Sequence, residues 1–321
     1  MPTEGYGDYR EFQDSPPSGP VHEMDNVPEN KYVYLTFDDG LQPGTREIID
    51  VLESQGVPGT FFLVGVHTEF YLKHVEKGAL GLNLMKRLHR KHLIANHSYS
   101  HANNKYGHTY SSGVYLPRGV TPRSVLEDFQ KNEAFLEDTL ISAGVYSGEE
   151  MKFKIARFPG RNTWRINGVK SIAGGSQGDT STEAEELFRD NYKIYGWDSE
   201  WDVNFNIDPS YLAPVEAVAH FDPESDPNEE VPSWEWAEGH PFYDFSADDL
   251  DQLSESAEEV AGEIMTLLNN PEATKRPGKV ILLLHDRYFR DLQSTKPVER
   301  LRQLIEALKL AGVKFSTLDR Y

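Results

Sequence analysis

Asp38 and Asp39 stand side by side in Thr36-Phe37-Asp38-Asp39-Gly40, directly after the apolar run Tyr32-Val33-Tyr34-Leu35. At the mouth of a buried strand, two adjacent carboxylates repel each other and lose hydration, so the pair calls for a cation nearby. The division of labour that follows is one carboxylate on a metal and the other free as a base. On its own an Asp-Asp-Gly is equally an acidic turn closing a strand; the remaining segments decide. In Leu93-Ile94-Ala95-Asn96-His97-Ser98-Tyr99-Ser100-His101 a short apolar strand leads into two histidines four apart. They share a face if the backbone turns helically there, and neutral imidazole suits zinc and its neighbours. Two His and one Asp make a three-ligand site that leaves positions for water and substrate.

Three further segments end strands in the same way. In Ile155-Ala156-Arg157-Phe158-Pro159-Gly160-Arg161, Arg157 can hold the free carboxylate ionised through a bidentate pair. At Gly160 a backbone N–H can face a substrate, because glycine lets a ligand approach closely. Tyr195-Gly196-Trp197-Asp198-Ser199-Glu200-Trp201-Asp202 gathers carboxylates and indoles. The wholly apolar strand Val280-Ile281-Leu282-Leu283-Leu284 is followed at once by His285-Asp286, which makes His285 a candidate acid; a satisfied core histidine is the alternative.

Together these five segments, TFDDG at 36–40, HSYSH at 97–101, RFPG at 157–160, the Trp-Asp segment at 197–202 and LLHD at 283–286, resemble the polysaccharide deacetylases, the NodB-homology group or carbohydrate esterase family 4. They occur in the family's order and the resemblance covers residues 31–320. It implies Asp38 as catalytic base and Asp39, His97 and His101 as ligands of one divalent metal ion, zinc. It further implies Arg157 as the residue that orients Asp38 and His285 as general acid. The carboxylate that tunes that acid is Asp198 or Asp202, with Asp198 preferred; Pro159, Gly160 and Trp197 face substrate and oxyanion. Gly160 stands where the family often has an aromatic residue, which removes a side-chain contact to the sugar but not a backbone donor.

The implied chemistry is hydrolysis of an acetamide. Water acidified by the cation loses a proton to Asp38 and attacks the carbonyl. The cation and a backbone N–H near Gly160 stabilise the oxyanion. His285, as imidazolium, protonates the departing amine. The chain has no cysteine, which excludes thiol nucleophiles and disulfides. It has no Gly-x-Ser-x-Gly elbow, which argues against a serine esterase.

A formal charge of −20 leaves no basic stripe for nucleic acid and disfavours anionic lipid. No apolar run has the length of a membrane span. Met1 to Gly7 show no cationic segment followed by an apolar one, so no signal peptide is visible. Since a glycan deacetylase finds little substrate in cytoplasm, a removed leader and a periplasmic or secreted destination are expected.

Residues 1–30, rich in Pro, Gly and acids, read as an extended arm. From there to residue 321 strands and helices alternate as one catalytic domain. Strands are expected at 32–37, 60–65, 93–97, 153–158, 192–197, 279–284 and 313–318. Helices are expected at 45–55, 70–91, from Thr121 to Gly144, at 247–269 and at 297–311. Alternation implies parallel strands with crossover helices, and every candidate residue falls at a strand's C-terminal end, where (β/α) barrels place their sites. An open doubly wound sheet has the same pattern; the resemblance implies an α/β fold of distorted (β/α)7 barrel type.

Two stretches interrupt the rhythm: the loop 102–120 and a long acidic insertion at 203–246 that is expected near the active-site face, over part of the cleft. Trp234, Trp236, Phe242 and Tyr243 in the insertion suit stacking on sugars or anchoring it to the barrel. His220 and His240 there read as ordinary surface histidines. The expected partner is an acetylated glycan polymer, peptidoglycan first, acted on by a monomer. Chitin oligosaccharides and acetylxylan are alternatives that need the same residues, and a glycan-binding pseudoenzyme is the alternative from another class.

Overall fold

The computed structural model describes residues 30–101, 124–145, 153–159, 165–166, 169–170, 181–201, 255–274, 276–289 and 297–321. In chain order the first elements are β1 (Tyr32–Gly40), α1 (Thr45–Gln55), β2 (Thr60–Leu63), α2 (Gly65–Phe70), α3 (Ala79–Lys91), β3 (Leu93–Asn96) and α4 (Val125–Ser142). Then follow β4 (Ile155–Ala156), β5 (Arg165–Ile166), β6 (Val169–Lys170), α5 (Ser181–Arg189), β7 (Lys193–Ile194) and β8 (Ser199–Glu200). The last are α6 (Ala257–Asn269), β9 (Lys279–His285), α7 (Pro297–Leu310) and β10 (Lys314–Phe315).

Side chains alternate across a strand, and in β1 and β9 the alternation separates two cores. Val33, Leu35 and Phe37 pack outward with Val280, Leu282 and Leu284, under the apolar faces of the surrounding helices. Tyr34 and Ile281 face inward with Phe62, Ala95, Tyr195, Leu318 and Tyr321. The same parity sends Thr36, Asp38 and His285 to the inner side, and the register sets Asp38 beside His285.

All pairings in this sheet are parallel, in the order β7-β4-β3-β2-β1-β9-β8. Its two ends are one continuous segment. Tyr195 N–H donates to Ala156 O of β4 at 2.8 Å, and three residues on Asp198 N–H donates to Ile281 O of β9 at 2.9 Å. A single strand therefore hands over from β4 to β9 and closes the sheet into a barrel. β10 pairs with Tyr32 and Val33 of β1 opposite β9, so it wedges in at the foot of the β1–β2 seam. The expected distorted (β/α)7 barrel is the architecture observed, with the distortion located at this hand-over and this wedge.

Helices cover the barrel with one apolar stripe each. In α7, Leu301, Leu304, Ile305 and Leu308 are buried at helical spacing. In α4 the expected face Val125, Phe129, Leu136 and Leu140 is buried, and Ser124 caps the helix by accepting from Glu127 N–H. The helix expected at 70–91 is divided: α2 runs into a π-turn at Tyr71–Val75, and Gly78, at φ 62°, precedes α3. Arg46 pairs bidentately with Glu76 at that break and fixes it to α1. The helix expected at 247–269 is described from Ser256, whose capping box with Glu259 starts α6. α5 and the β5–β6 hairpin were not expected from the sequence. The N-terminal arm through residue 29, the loop 102–120 and the insertion 203–246 with His220 and His240 lie outside the described residues. No helix among the described residues is long and apolar enough to cross a membrane.

Candidate active site

Consecutive residues of a regular strand point to opposite faces, so Asp38 and Asp39 can meet in one site only if the strand is interrupted between them. It is: the β1–β2 register shifts between Asp38 and Gly40, and Asp39 adopts φ 73°, a left-handed conformation that few non-glycine residues take. α2 holds the bulge. Val64 N–H donates to Gly40 O at 2.7 Å, Leu41 N–H donates to Thr68 Oγ1 at 3.1 Å, and His67 Nδ1 lies 2.8 Å from Asp39 O. Gly40 is needed as glycine, because a Cβ there would come within 2.5 Å of Asp286 Oδ2.

The histidine loop after β3 is held from α4. Asp128, fully buried, accepts from Ser100 N–H at 2.9 Å and from the Ser100 hydroxyl at 2.8 Å. Asn96 Oδ1 accepts from Ser98 N–H and from Asn132 Nδ2, which also reaches Leu63 O. This clasp sustains two more left-handed residues, Ser98 at φ 67° and His101 at φ 57°. As a result Asp39, His97 and His101 each present a ligand atom, all within 4.8 Å of one another.

Arg157 is fully buried at the end of β4 and every arm of its guanidinium is used. Nε donates to Tyr195 O, Nη2 to Gly196 O, and Nη1 to Thr36 Oγ1 and, at 2.8 Å, to Asp38 Oδ1. The guanidinium carbon lies 4.2 Å from the Phe62 ring centroid and 5.4 Å from that of Trp197. Burial pushes the Asp38 carboxyl up to about 7; Arg157 opposes the rise, and the charges of Asp39 and Glu200 add to it. Burial also raises Asp39, but His101, first, and then His285 outweigh it and hold this carboxyl well below the usual range.

His285 follows the last apolar residue of β9, and its ring packs edge-on to Tyr288 at 5.2 Å. Asp198 lies lower in the barrel: its Oδ2 accepts from Ile281 N–H at 2.8 Å, four residues before His285 on the same strand. Glu200 is a step nearer, paired in register with Leu283 and felt electrostatically by Asp38. Pro159 is buried at the strand break after Arg157; Gly160 and Asp202 lie outside the described residues. Beneath the pair, burial keeps Asp286 well above the usual carboxylate range while the Thr45 hydroxyl donates to its Oδ2. His67, Asp128, Asn132 and Glu200 thus belong to the site's framework, although the sequence alone marks none of them.

The donor set fits a divalent cation. His97 Nδ1 lies 2.9 Å from Arg157 O, and a carbonyl only accepts, so Nδ1 carries the proton. Burial holds this imidazole well below its ordinary pKa and therefore neutral. The Nε2 lone pair then faces Asp38 Oδ2 at 3.4 Å and Asp39 Oδ1 at 3.6 Å, with His101 Nε2 at 3.2 Å from the same Asp39 oxygen. The His97 Nε2 lone pair and the buried Asp39 Oδ1, which accepts no hydrogen bond of good geometry, repel unless a cation lies between them. Two imidazoles and a carboxylate suit zinc.

The polysaccharide deacetylase family model matches residues 25–159, which hold the carboxylate pair, both histidines and Arg157. The chain is 23% identical to the chitin disaccharide deacetylase of Vibrio alginolyticus across 90% of this chain and 71% of that protein. It is 40% identical to a peptidoglycan-N-acetylglucosamine deacetylase of Bacillus cereus over 79 residues, 24% of this chain and a quarter, 25%, of that protein. A solved CE4 esterase of Streptococcus mutans superposes with a TM-score of 0.48 at 20% identity, covering 91% of this chain and 87% of that one. The parallel barrel carries the candidate site at the C-terminal ends of its strands. Residues 25–159 are thus similar to the NodB-type polysaccharide deacetylases, and the Vibrio alginolyticus relative extends that likeness along most of the chain.

Proposed function

We propose that this protein hydrolyses N-acetyl groups of glycan N-acetylglucosamine, in peptidoglycan first, using one divalent ion, zinc, held by Asp39, His97 and His101. The observation that carries the reading is the opposition of the neutral His97 Nε2 to Asp39 Oδ1, next to an Asp38 fixed by Arg157. When bound, the cation supplies Lewis acidity toward an acyl oxygen and toward water. Asp38 takes the proton of the attacking water as a C–O bond forms. The backbone N–H of Gly160 donates to the oxygen that becomes negative. His285 gives its proton to the amine nitrogen as the C–N bond breaks, which leaves acetate and a free amino sugar. Arg157 opposes the burial-driven rise of the Asp38 pKa and aims its carboxyl, and Trp197, packed near the guanidinium, lines the approach. Glu200, whose charge reaches Asp38, adds a third candidate for the tuning role beside Asp198 and Asp202, which the resemblance implies.

A chitin-oligosaccharide substrate is the second reading, favoured by the relative from Vibrio alginolyticus that matches over 90% of this chain. A peptidoglycan substrate supports the expectation of a periplasmic or secreted protein. Acetate release from peptidoglycan, chitin oligomers and acetylxylan, measured in parallel on zinc-loaded protein, tests the proposal. Release from peptidoglycan at the highest rate is the expected result. A higher rate on chitin oligomers establishes the second reading, and release from none of them, with zinc bound, points to a glycan-binding protein.

A further inference from the structure

Asp39 has to supply a ligand oxygen from a left-handed backbone, φ 73°, and His101 its imidazole from another, φ 57°. Isolated, such residues relax toward the favoured regions, because the Cβ crowds the following carbonyl oxygen in the left-handed conformation. One side chain touches both. His67, in the first turn of α2, is buried, with 7% of its surface exposed. Its Nδ1 is 2.8 Å from Asp39 O, and its ring stacks on His101 with centroids 6.3 Å apart and planes 26° from parallel. Because the carbonyl can only accept, Nδ1 is the donor, and this bond fixes the His67 tautomer. The neighbouring bonds to α2 engage Gly40 and Leu41. Among the bonds described, that from His67 is the one that takes up the carbonyl of Asp39 itself.

We infer that His67 is a positioning residue for the cation site, clamping the Asp39 bulge through its carbonyl. The inference rests on the proposed metal site but not on the identity of the glycan. Groups that orient metal ligands typically govern affinity by about ten- to a hundredfold.

The test compares two polar replacements of the full-length chain. In His67→Asn the amide nitrogen takes the place of Nδ1, while in His67→Gln it is carried one methylene further out. Zinc affinity of the chelator-stripped proteins is read by competition with a chromophoric chelator, with circular dichroism confirming the fold. We expect His67→Asn to stay within about threefold of wild type and His67→Gln to lose about tenfold or more. Equal affinity in all three proteins, or equal loss in both variants, overturns the inference, as does a wild type that takes up no zinc. Acetate release is scored separately: a wild type that binds zinc tightly yet deacetylates nothing defeats the proposed function, while the affinity ordering still decides the role of His67.

Discussion

Arg157 and Asp38 are joined by one 2.8 Å hydrogen bond, although 119 residues separate them in the chain. Both are buried, and the carboxyl still titrates near 7 because burial outweighs the guanidinium. The pair leaves a carboxyl poised close to neutrality, where a general base works best.

Replacing Arg157 by Met removes the opposing charge, so the Asp38 pKa rises further and less of the base is ionised at pH 7. The acid limb of kcat/KM should move upward by about 1–2 units, with activity at neutral pH down about tenfold or more. Arg157→Lys keeps a charge but abandons the carbonyls of Tyr195 and Gly196, and should fall between. A pH profile unchanged in shape for Arg157→Met would show that the guanidinium has no influence on the base.

Glu200 and Asp198 should separate by the kind of defect they cause. Glu200 raises the pKa of Asp38, so Glu200→Gln should move the acid limb downward, opposite in sign to Arg157→Met. Asp198→Ala strips the acceptor from the Ile281 amide, and an orphaned buried donor costs about 1–3 kcal/mol of stability. Denaturant unfolding beside pH–rate profiles distinguishes them. An altered profile in Asp198→Ala with Glu200→Gln unaffected gives the tuning role to Asp198.

His92 gives the fold its own acid sensitivity, away from the site. Its Nδ1 accepts from Gly59 N–H at 3.2 Å, and burial lowers the imidazole to about 4. The unfolded chain, with a pKa near the ordinary 6.5, binds the proton first. Stability from this group is therefore intact above pH 6.5 and falls as pH drops toward 4, by about 1.4 kcal/mol per unit and about 3 kcal/mol in all. His92→Asn keeps an acceptor for Gly59 N–H without the titration. Its unfolding free energy should lose about 2 kcal/mol less than wild type between pH 7.5 and pH 5. Parallel pH dependences in the two proteins would exclude His92 as the cause.

The candidate site was legible in the sequence wherever a titratable residue ended an apolar strand: Asp38, His97, Arg157 and His285 each announce themselves by that juxtaposition, and the structure brings them together. Their framework was not, for physical reasons. The Asp39 bulge is a backbone rotation with no compositional mark, because Asp rather than Gly occupies the left-handed position. Asp128 reaches Ser100 from 28 residues away, out of a helix whose period shows only its apolar members. Glu200 and Asp198 are two apart and differ only in the β9 residue beside them, which register alone decides. The closing strand, two short pairings joined by Tyr195 to Asp198, reads along the chain as one element.

The paired carboxylates should fail in different ways. Asp39 Oδ1 faces both histidine Nε2 atoms, whereas Asp38 is engaged by Arg157. Asp39→Asn or His101→Ala leaves a two-ligand site, which holds zinc poorly, so metal content after dialysis should drop and activity with it. Asp38→Asn keeps all three ligands and should retain zinc while losing about two or more orders of magnitude in kcat. His285→Ala should likewise retain zinc and lose rate, most severely for substrates whose leaving amine most needs a proton. Zinc stoichiometry by elemental analysis, set beside turnover on the same samples, separates the two groups. Zinc lost from Asp38→Asn but kept in Asp39→Asn would exchange the roles of the two aspartates.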